Sequence, residues 1–218
     1  MTIGRTYGDA CGVAHGLDLV GERWALLVVR ELLLGPRRFT DLRSGLPGAS
    51  PNVLSQRLRE LETAGVVRRR TLPPPAASKV YELTEFGAEL EPIVVGLGTW
   101  ALRSGLMDGD GTLSDVSAML TLRTFFHESD PGWRADFEVR FGEARYFARV
   151  GDGRVELVSE PLVPATVVDT DPRTFVDLVG GKRDLSEAAE SGAVRVTGDR
   201  ATVERLLAST RVLGAGVP

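Results

Sequence analysis

A chain of 218 residues, 43% hydrophobic and 26% charged, can build two cores and is too ordinary in composition for a disordered, collagenous or disulfide-stapled protein. No apolar run approaches the roughly 18 residues of a membrane span, and the single cysteine, Cys11, excludes an intrachain disulfide while leaving a bridge between subunits open. The net charge of −4 conceals a division: residues 36–82 carry nine basic and four acidic side chains, whereas thirteen basic and nineteen acidic ones follow Gly105. The first stretch seeks anions and the second repels a phosphate backbone. The first residues, Met1-Thr2-Ile3-Gly4-Arg5, lack the basic flank and apolar stretch of a secretion signal, so a cytoplasmic protein without a membrane partner is expected.

In chain order, Trp24, Leu27, Val28, Glu31, Leu32 and Leu34 recur at helical spacing until Gly35-Pro36 stops them. A short helix with Phe39, Leu42 and Leu46 follows and ends at Pro47-Gly48. The next helix is written at both ends. Ser50 can accept from a free amide, Pro51 suits the first helical position, and Gly65 follows the last residue, Ala64. The stretches 66–72 and 79–83 read as two strands joined by a loop with Pro73-Pro74-Pro75, and 84–103 as one long helix capped by Thr84.

At about 100 degrees per residue from Leu54, Leu58 and Leu61 form one apolar stripe, while Asn52, Ser55, Gln56, Arg59 and Thr63 fall roughly 100 to 200 degrees away. Those polar types match base edges. Asn and Gln bond adenine, Arg bonds guanine, Ser serves either, and the major groove of double-stranded DNA admits a helix carrying them. Arg57 is expected nearer the flank, on phosphate, as are the flanking Arg37 and Arg38, and Ser50 is counted among the DNA-binding residues. Arg68, Arg69 and Arg70 alternate across their strand, so Arg69 and Lys79 are taken as the contacts of a basic hairpin with the backbone or minor groove.

A domain junction is expected in 104–112, where Gly, Asp and Ser replace periodic apolar residues. Asp108-Gly109-Asp110-Gly111 there lacks the later oxygen ligands of a calcium loop and reads as a linker. Beyond it, 112–126 is helical by pattern. Phe137, Val139 and Phe141 begin a meander through 146–150 and 155–158, with a further strand at 165–168. Asp171-Pro172 opens a helix through Phe175 and Leu178, 185–189 makes another, 194–196 is a strand, and Asp199 caps a last helix. The second half is therefore α+β.

Little in the sequence points to an enzyme or to a cofactor. His15 and His127 have no companions at metal-ligand spacing, so no metal is expected. Gly96-Leu97-Gly98-Thr99-Trp100-Ala101 fits a dinucleotide fingerprint but lies within a predicted helix, and no histidine flanks a candidate nucleophile.

Cys11, Trp24, Gly35-Pro36-Arg37-Arg38-Phe39, Leu42, Ser50-Pro51, Leu54-Ser55-Gln56-Arg57-Leu58, Leu61, Gly65-Val66-Val67-Arg68-Arg69, Tyr81-Glu82-Leu83-Thr84 and Gly87 together resemble the HxlR family pattern across residues 10–103. The resemblance implies a winged helix-turn-helix transcriptional regulator that binds a palindromic operator as a homodimer, its terminal helices pairing. In some such regulators a cysteine at the place of Cys11 senses oxidants or electrophiles. The triple-proline tip departs from the pattern.

The second half, through Gly151-Asp152-Gly153, Gly180-Gly181 and 192–199, resembles the sterol carrier protein fold. That implies a cavity for an apolar small molecule or lipid, with Phe125, Phe126, Phe137, Val139, Phe141, Phe147, Phe175 and Leu178 as candidate lining. The expected architecture is α+β: an N-terminal winged helix-turn-helix domain over 1–106 and a C-terminal α+β sterol-carrier-protein-like domain over 107–218. Two alternatives stay open: a regulator switched through Cys11, and a lipid carrier or interaction protein that uses its winged helix only to dimerise.

Overall fold

The computed structural model describes residues 6–75, 77–104, 111–127, 130–158, 160–164 and 166–210. The calcium-loop-like aspartates and most of the expected junction, 105–110, lie outside the described residues, as does Ala165 at the start of one expected strand. The chain divides into two compact units, Met1–Thr99 and Trp100–Pro218.

In the first unit, α1 (Gly12–Val20), α2 (Ala25–Leu32), α3 (Phe39–Gly45) and α4 (Pro51–Thr63) precede the hairpin of β1 (Val67–Thr71) and β2 (Lys79–Leu83). Two helices follow the hairpin, α5 (Glu85–Ala88) and α6 (Glu91–Leu102). The core is the convergence of helical stripes: Val28 and Val29 of α2, Leu42 of α3, and Leu54, Leu58 and Leu61 of α4 are fully buried. Leucine spacing on α4 thus fixes which side of that helix stays outside. Leu27, by contrast, faces solvent.

Ser50 caps α4 as its sequence position implies, its hydroxyl accepting from the Val53 N–H at 3.4 Å. Arg37 adds a short third rung to the hairpin, exchanging both backbone hydrogen bonds with Tyr81 at 2.9 and 2.8 Å. The single helix expected over 84–103 is two. Pro92 has no N–H to give the Ala88 carbonyl, and it restricts Glu91, so the helix stops and restarts with Pro92 in the first turn of α6.

Gly87 is buried where α5 crosses the end of β1. Thr84 caps α5 by accepting from Gly87 N–H at 3.0 Å, and its own N–H reaches the Val66 carbonyl at 3.0 Å. A Cβ on Gly87 would run into that same carbonyl oxygen. Gly87→Ala is therefore expected to cost about 1–3 kcal/mol of stability, read as a lowered midpoint in urea with an unchanged slope.

The second unit holds a five-stranded sheet. It comprises α7 (Asp115–Phe125), β3 (Ala135–Phe141), β4 (Ala144–Gly151), β5 (Arg154–Val158), β6 (Thr166–Thr170), α8 (Pro172–Val179), α9 (Leu185–Glu190), β7 (Val194–Gly198) and α10 (Arg200–Ala208). Strand order is β5-β4-β3-β6-β7, with β3 and β6 parallel and every other pair antiparallel. Asp152 and Gly153, both at positive φ, close the two-residue turn between β4 and β5. Ser114, Asp171, Asp184 and Asp199 cap α7, α8, α9 and α10 by accepting from first-turn amides.

Candidate nucleic-acid interface

With Leu54, Leu58 and Leu61 turned inward, α4 presents Asn52, Gln56, Arg59 and Thr63 to solvent and leaves Ser55 half-buried beside them. The state of each side chain matters for what it can recognise. Asn52, Ser55 and Arg59 have no side-chain hydrogen bond or ion pair among the described residues. Gln56 donates through Nε2 to Glu60 Oε1 at 3.0 Å, and Thr63 donates to the Arg59 carbonyl at 2.9 Å. The stripe therefore offers an amide, a hydroxyl and a guanidinium with open capacity, all on one rigid helix.

Arg57 does not belong to that surface. It is 7% exposed, with its guanidinium held by Glu60 and, at 3.6 Å, by Glu22. Its Nε has no hydrogen-bond partner among the described residues. The expected phosphate contact on the flank is corrected to a buried cation that ties α4 to the turn before α2. Around α4, Ser50 and Arg38 are exposed at the starts of α4 and α3, and Arg37 is half-buried with its backbone in the hairpin.

The hairpin arginines are engaged within the domain. Arg68 and Arg70 share one face and both bond Glu82, at 2.8 and 2.9 Å, while Arg69 on the other face bonds Glu62 at 2.9 Å and lies over the Tyr81 ring. Arg69 is thus not the free cation expected of it, whereas Lys79 is exposed and has no partner among the described residues. Glu82 was missed in the sequence reading, though its place was legible: it sits directly across from Arg68 in the hairpin register.

In the second unit, Phe126, Phe137, Val139, Phe141, Phe175 and Leu178 are all buried. Their rings pack in sequence: Phe126 stacks near Trp133 with centroids 6.2 Å apart, Trp133 meets Phe137 edge-on at 6.4 Å, and Phe141 meets Phe175 at 5.5 Å. Phe125, at the end of α7, is half-buried.

Phe147 must be removed from this set. It pairs directly with Glu138, so it lies on the face of the sheet opposite Phe137 and Val139. That opposite face is charged. Arg140 bonds Glu138 at 2.7 Å and Arg149 bonds Asp136 at 2.9 Å, and the Arg140 hydrogen bond holds the Glu138 carboxyl below its ordinary range.

Cys11 is exposed at the start of α1, where the backbone amides of Ala14 and Val13 draw its thiol below the ordinary value. Gly96 to Ala101 are helical within α6, which excludes the strand-to-helix turn a dinucleotide fingerprint requires. No helix among the described residues is long and apolar enough to cross a membrane.

Known proteins similar to this chain are HTH-type transcriptional regulators. Residues 19–106 match the family described as HxlR-like helix-turn-helix. An uncharacterised HTH-type transcriptional regulator of Synechocystis is 39% identical over 90 residues, spanning 41% of this chain and 67% of that protein. YvaP of Bacillus subtilis, also an HTH-type transcriptional regulator, is 41% identical over 85 residues, spanning 39% of this chain and 79% of that protein. Among solved structures, the reduced form of the transcriptional regulator YodB from B. subtilis is 32% identical over 44% of this chain and 95% of that one, with a TM-score of 0.39. Identity of this level across most of YvaP's length establishes that the chain belongs to the HxlR-like helix-turn-helix family of transcriptional regulators.

Proposed function

We propose that the protein is a homodimeric repressor in which α4 of each copy reads base edges in successive major grooves of a palindromic operator, and in which the second unit senses an apolar small molecule. The observation that carries the reading is the solvent-facing stripe of α4, where Asn52, Ser55 and Arg59 have open hydrogen-bonding capacity. Arg38 at the start of α3 and Lys79 on the hairpin flank that stripe as phosphate contacts. Dimerisation through α6 is supported by its chemistry: the helix buries none of its residues, although Ile93, Leu97 and Trp100 are among them. The sensing role rests on the resemblance to sterol carrier proteins and on the apolar set from Phe126 to Leu178, with Phe147 left out.

Titration of the full chain with duplex DNA at increasing salt tests the reading. Binding should weaken steeply, with a log–log slope of about −0.9 for each phosphate neutralised. A protein that ignores duplex even at low salt overturns the regulator reading and favours a carrier that uses its winged helix only to dimerise.

A second reading, a redox-switched regulator, is favoured by the exposed Cys11 thiol and its lowered proton affinity. Diamide treatment is then expected to shift duplex affinity in the unmodified protein and to leave Cys11→Ser unaffected. Equal affinity before and after treatment eliminates this switch.

A further inference from the structure

We infer that the pocket between α4 and the amino-terminal segment binds a small aromatic carboxylate, and that its occupancy and DNA binding exclude one another. The pocket measures about 940 Å³ and is open on one side, ample for a single-ring ligand. Gln56, Arg57, Arg59, Glu60 and Thr63 form its α4 wall. Tyr7, Leu17, Asp18 and Glu22 stand across from them. Tyr7 and Leu17 are exposed apolar surfaces and Ala64 is half-buried at the end of α4, which gives a ring somewhere to lie.

The charge of the ligand follows from which polar groups already have partners. The three carboxylates are engaged. Asp18 accepts from Thr6 Oγ1 at 3.0 Å and from the Tyr7 amide at 2.9 Å, Glu60 accepts from Gln56 and Arg57, and Glu22 meets Arg57 at 3.6 Å. Among the charged groups of the lining, those lacking a partner among the described residues are on cations. Arg59 is exposed without a partner among the described residues, and Arg57, more than nine-tenths buried, has an Nε with no acceptor. An acceptor bearing negative charge satisfies both. A carboxylate matches the planar guanidinium of Arg59 with two parallel hydrogen bonds and, by taking the place of the long Glu22 contact, lets the Arg57 head turn toward it.

Exclusion of DNA follows because Arg59 and Gln56 belong to both surfaces. A guanidinium chelating a carboxylate cannot also bond a guanine edge. This part of the inference rests on α4 being the base-reading helix; the site itself does not.

The test uses the full chain and two probes of equal size and opposite charge, benzoate and benzylamine, with sodium chloride as the anion control. In calorimetric titration without DNA, benzoate should bind and benzylamine should not. Arg59→Ala, an exposed substitution with no folding penalty expected, and Ala64→Phe, which puts a ring where the ligand's ring would lie, should each weaken benzoate at least tenfold. Saturating benzoate should raise the Kd for duplex at least tenfold in the unmodified protein and leave it unchanged in Ala64→Phe. The inference is overturned if benzoate fails to bind, if both variants bind it normally as they would a ligand held in the second unit, or if benzylamine binds instead. If benzoate binds as described and duplex does not, the DNA reading fails and the site stands. If both bind without competing, the exclusion fails.

Discussion

Leu97→Glu is expected to turn the protein into a monomer and to lower its affinity for a two-half-site operator by at least 100-fold. Ile93, Leu97 and Trp100 are 55%, 47% and 63% exposed and recur at i, i+4 and i+7 along α6. An apolar face of this kind, left exposed, is what the proposed pairing of two copies would cover. A carboxylate placed at its centre has no counter-charge within the helix and must be buried unpaired if the pair forms. That cost is several kcal/mol, and about 4 kcal/mol already corresponds to roughly 1000-fold in the dimer constant. Loss of the dimer separates the two α4 helices, so operator binding falls to that of one half-site. Sedimentation equilibrium reads the first effect and operator titration the second. A dimer of unchanged affinity in the variant refutes α6 as the interface.

Arg59→Ala carries the other large effect, and its form matters more than its size. Arg59 is the cation of the α4 stripe without a partner among the described residues, whereas Arg57 two residues earlier is buried and held by carboxylates. A bidentate contact to guanine, the role proposed for Arg59, would contribute about 1–3 kcal/mol of discrimination in each half-site. Its removal should weaken the preferred operator by roughly 10- to 100-fold per half-site, with little change on unrelated duplex. Lys79→Ala makes the contrast. It should weaken every duplex alike and flatten the salt slope by about one unit per copy, as a phosphate contact does. Competition titrations against random duplex distinguish the two patterns, and an Arg59→Ala variant that keeps its sequence preference removes this residue from base readout.

Much of the winged unit was legible because its signals are local. Ser50 and Pro51 mark the start of α4 and Gly65 its end, and leucines at 54, 58 and 61 orient it without knowledge of any other element. Asp171-Pro172 and Asp199 placed α8 and α10 on the same grounds. The break before α6 was equally local and overlooked: periodicity ran through Pro92, but a missing N–H does not appear in a count of apolar residues.

Arg57 failed for a different reason. Helical geometry sets it about 60 degrees from Leu54, closer to the apolar stripe than to the polar one, and its charge led it to be read as a surface contact. Only the positions of Glu22 and Glu60 explain how a guanidinium is accommodated there.

Phe147 illustrates what one strand cannot reveal. Alternation within β4 separates Phe147 from Tyr146 and Ala148 but does not say which set turns toward the helices. The register with β3 decides it, pairing Phe147 with Glu138, and that register depends on how the turn at Gly142 is made. The hairpin arginines depend on register in the same way, since Arg68 lies opposite Glu82. The elements of the winged unit and the outward side of α4 were thus readable from nearest neighbours along the chain, while the state of each charged side chain depended on pairing across it.

The most direct measurement is selection of bound duplexes from a pool of random sequence, using the full chain. Recognition of base edges by the outward stripe of α4 in a symmetric pair predicts enrichment of a palindrome whose half-sites lie about 10 base pairs apart, with guanine favoured in the unmodified protein at a position that becomes indifferent in Arg59→Ala. A pool that stays random after repeated rounds, or a palindrome recovered unchanged by Arg59→Ala, contradicts that recognition.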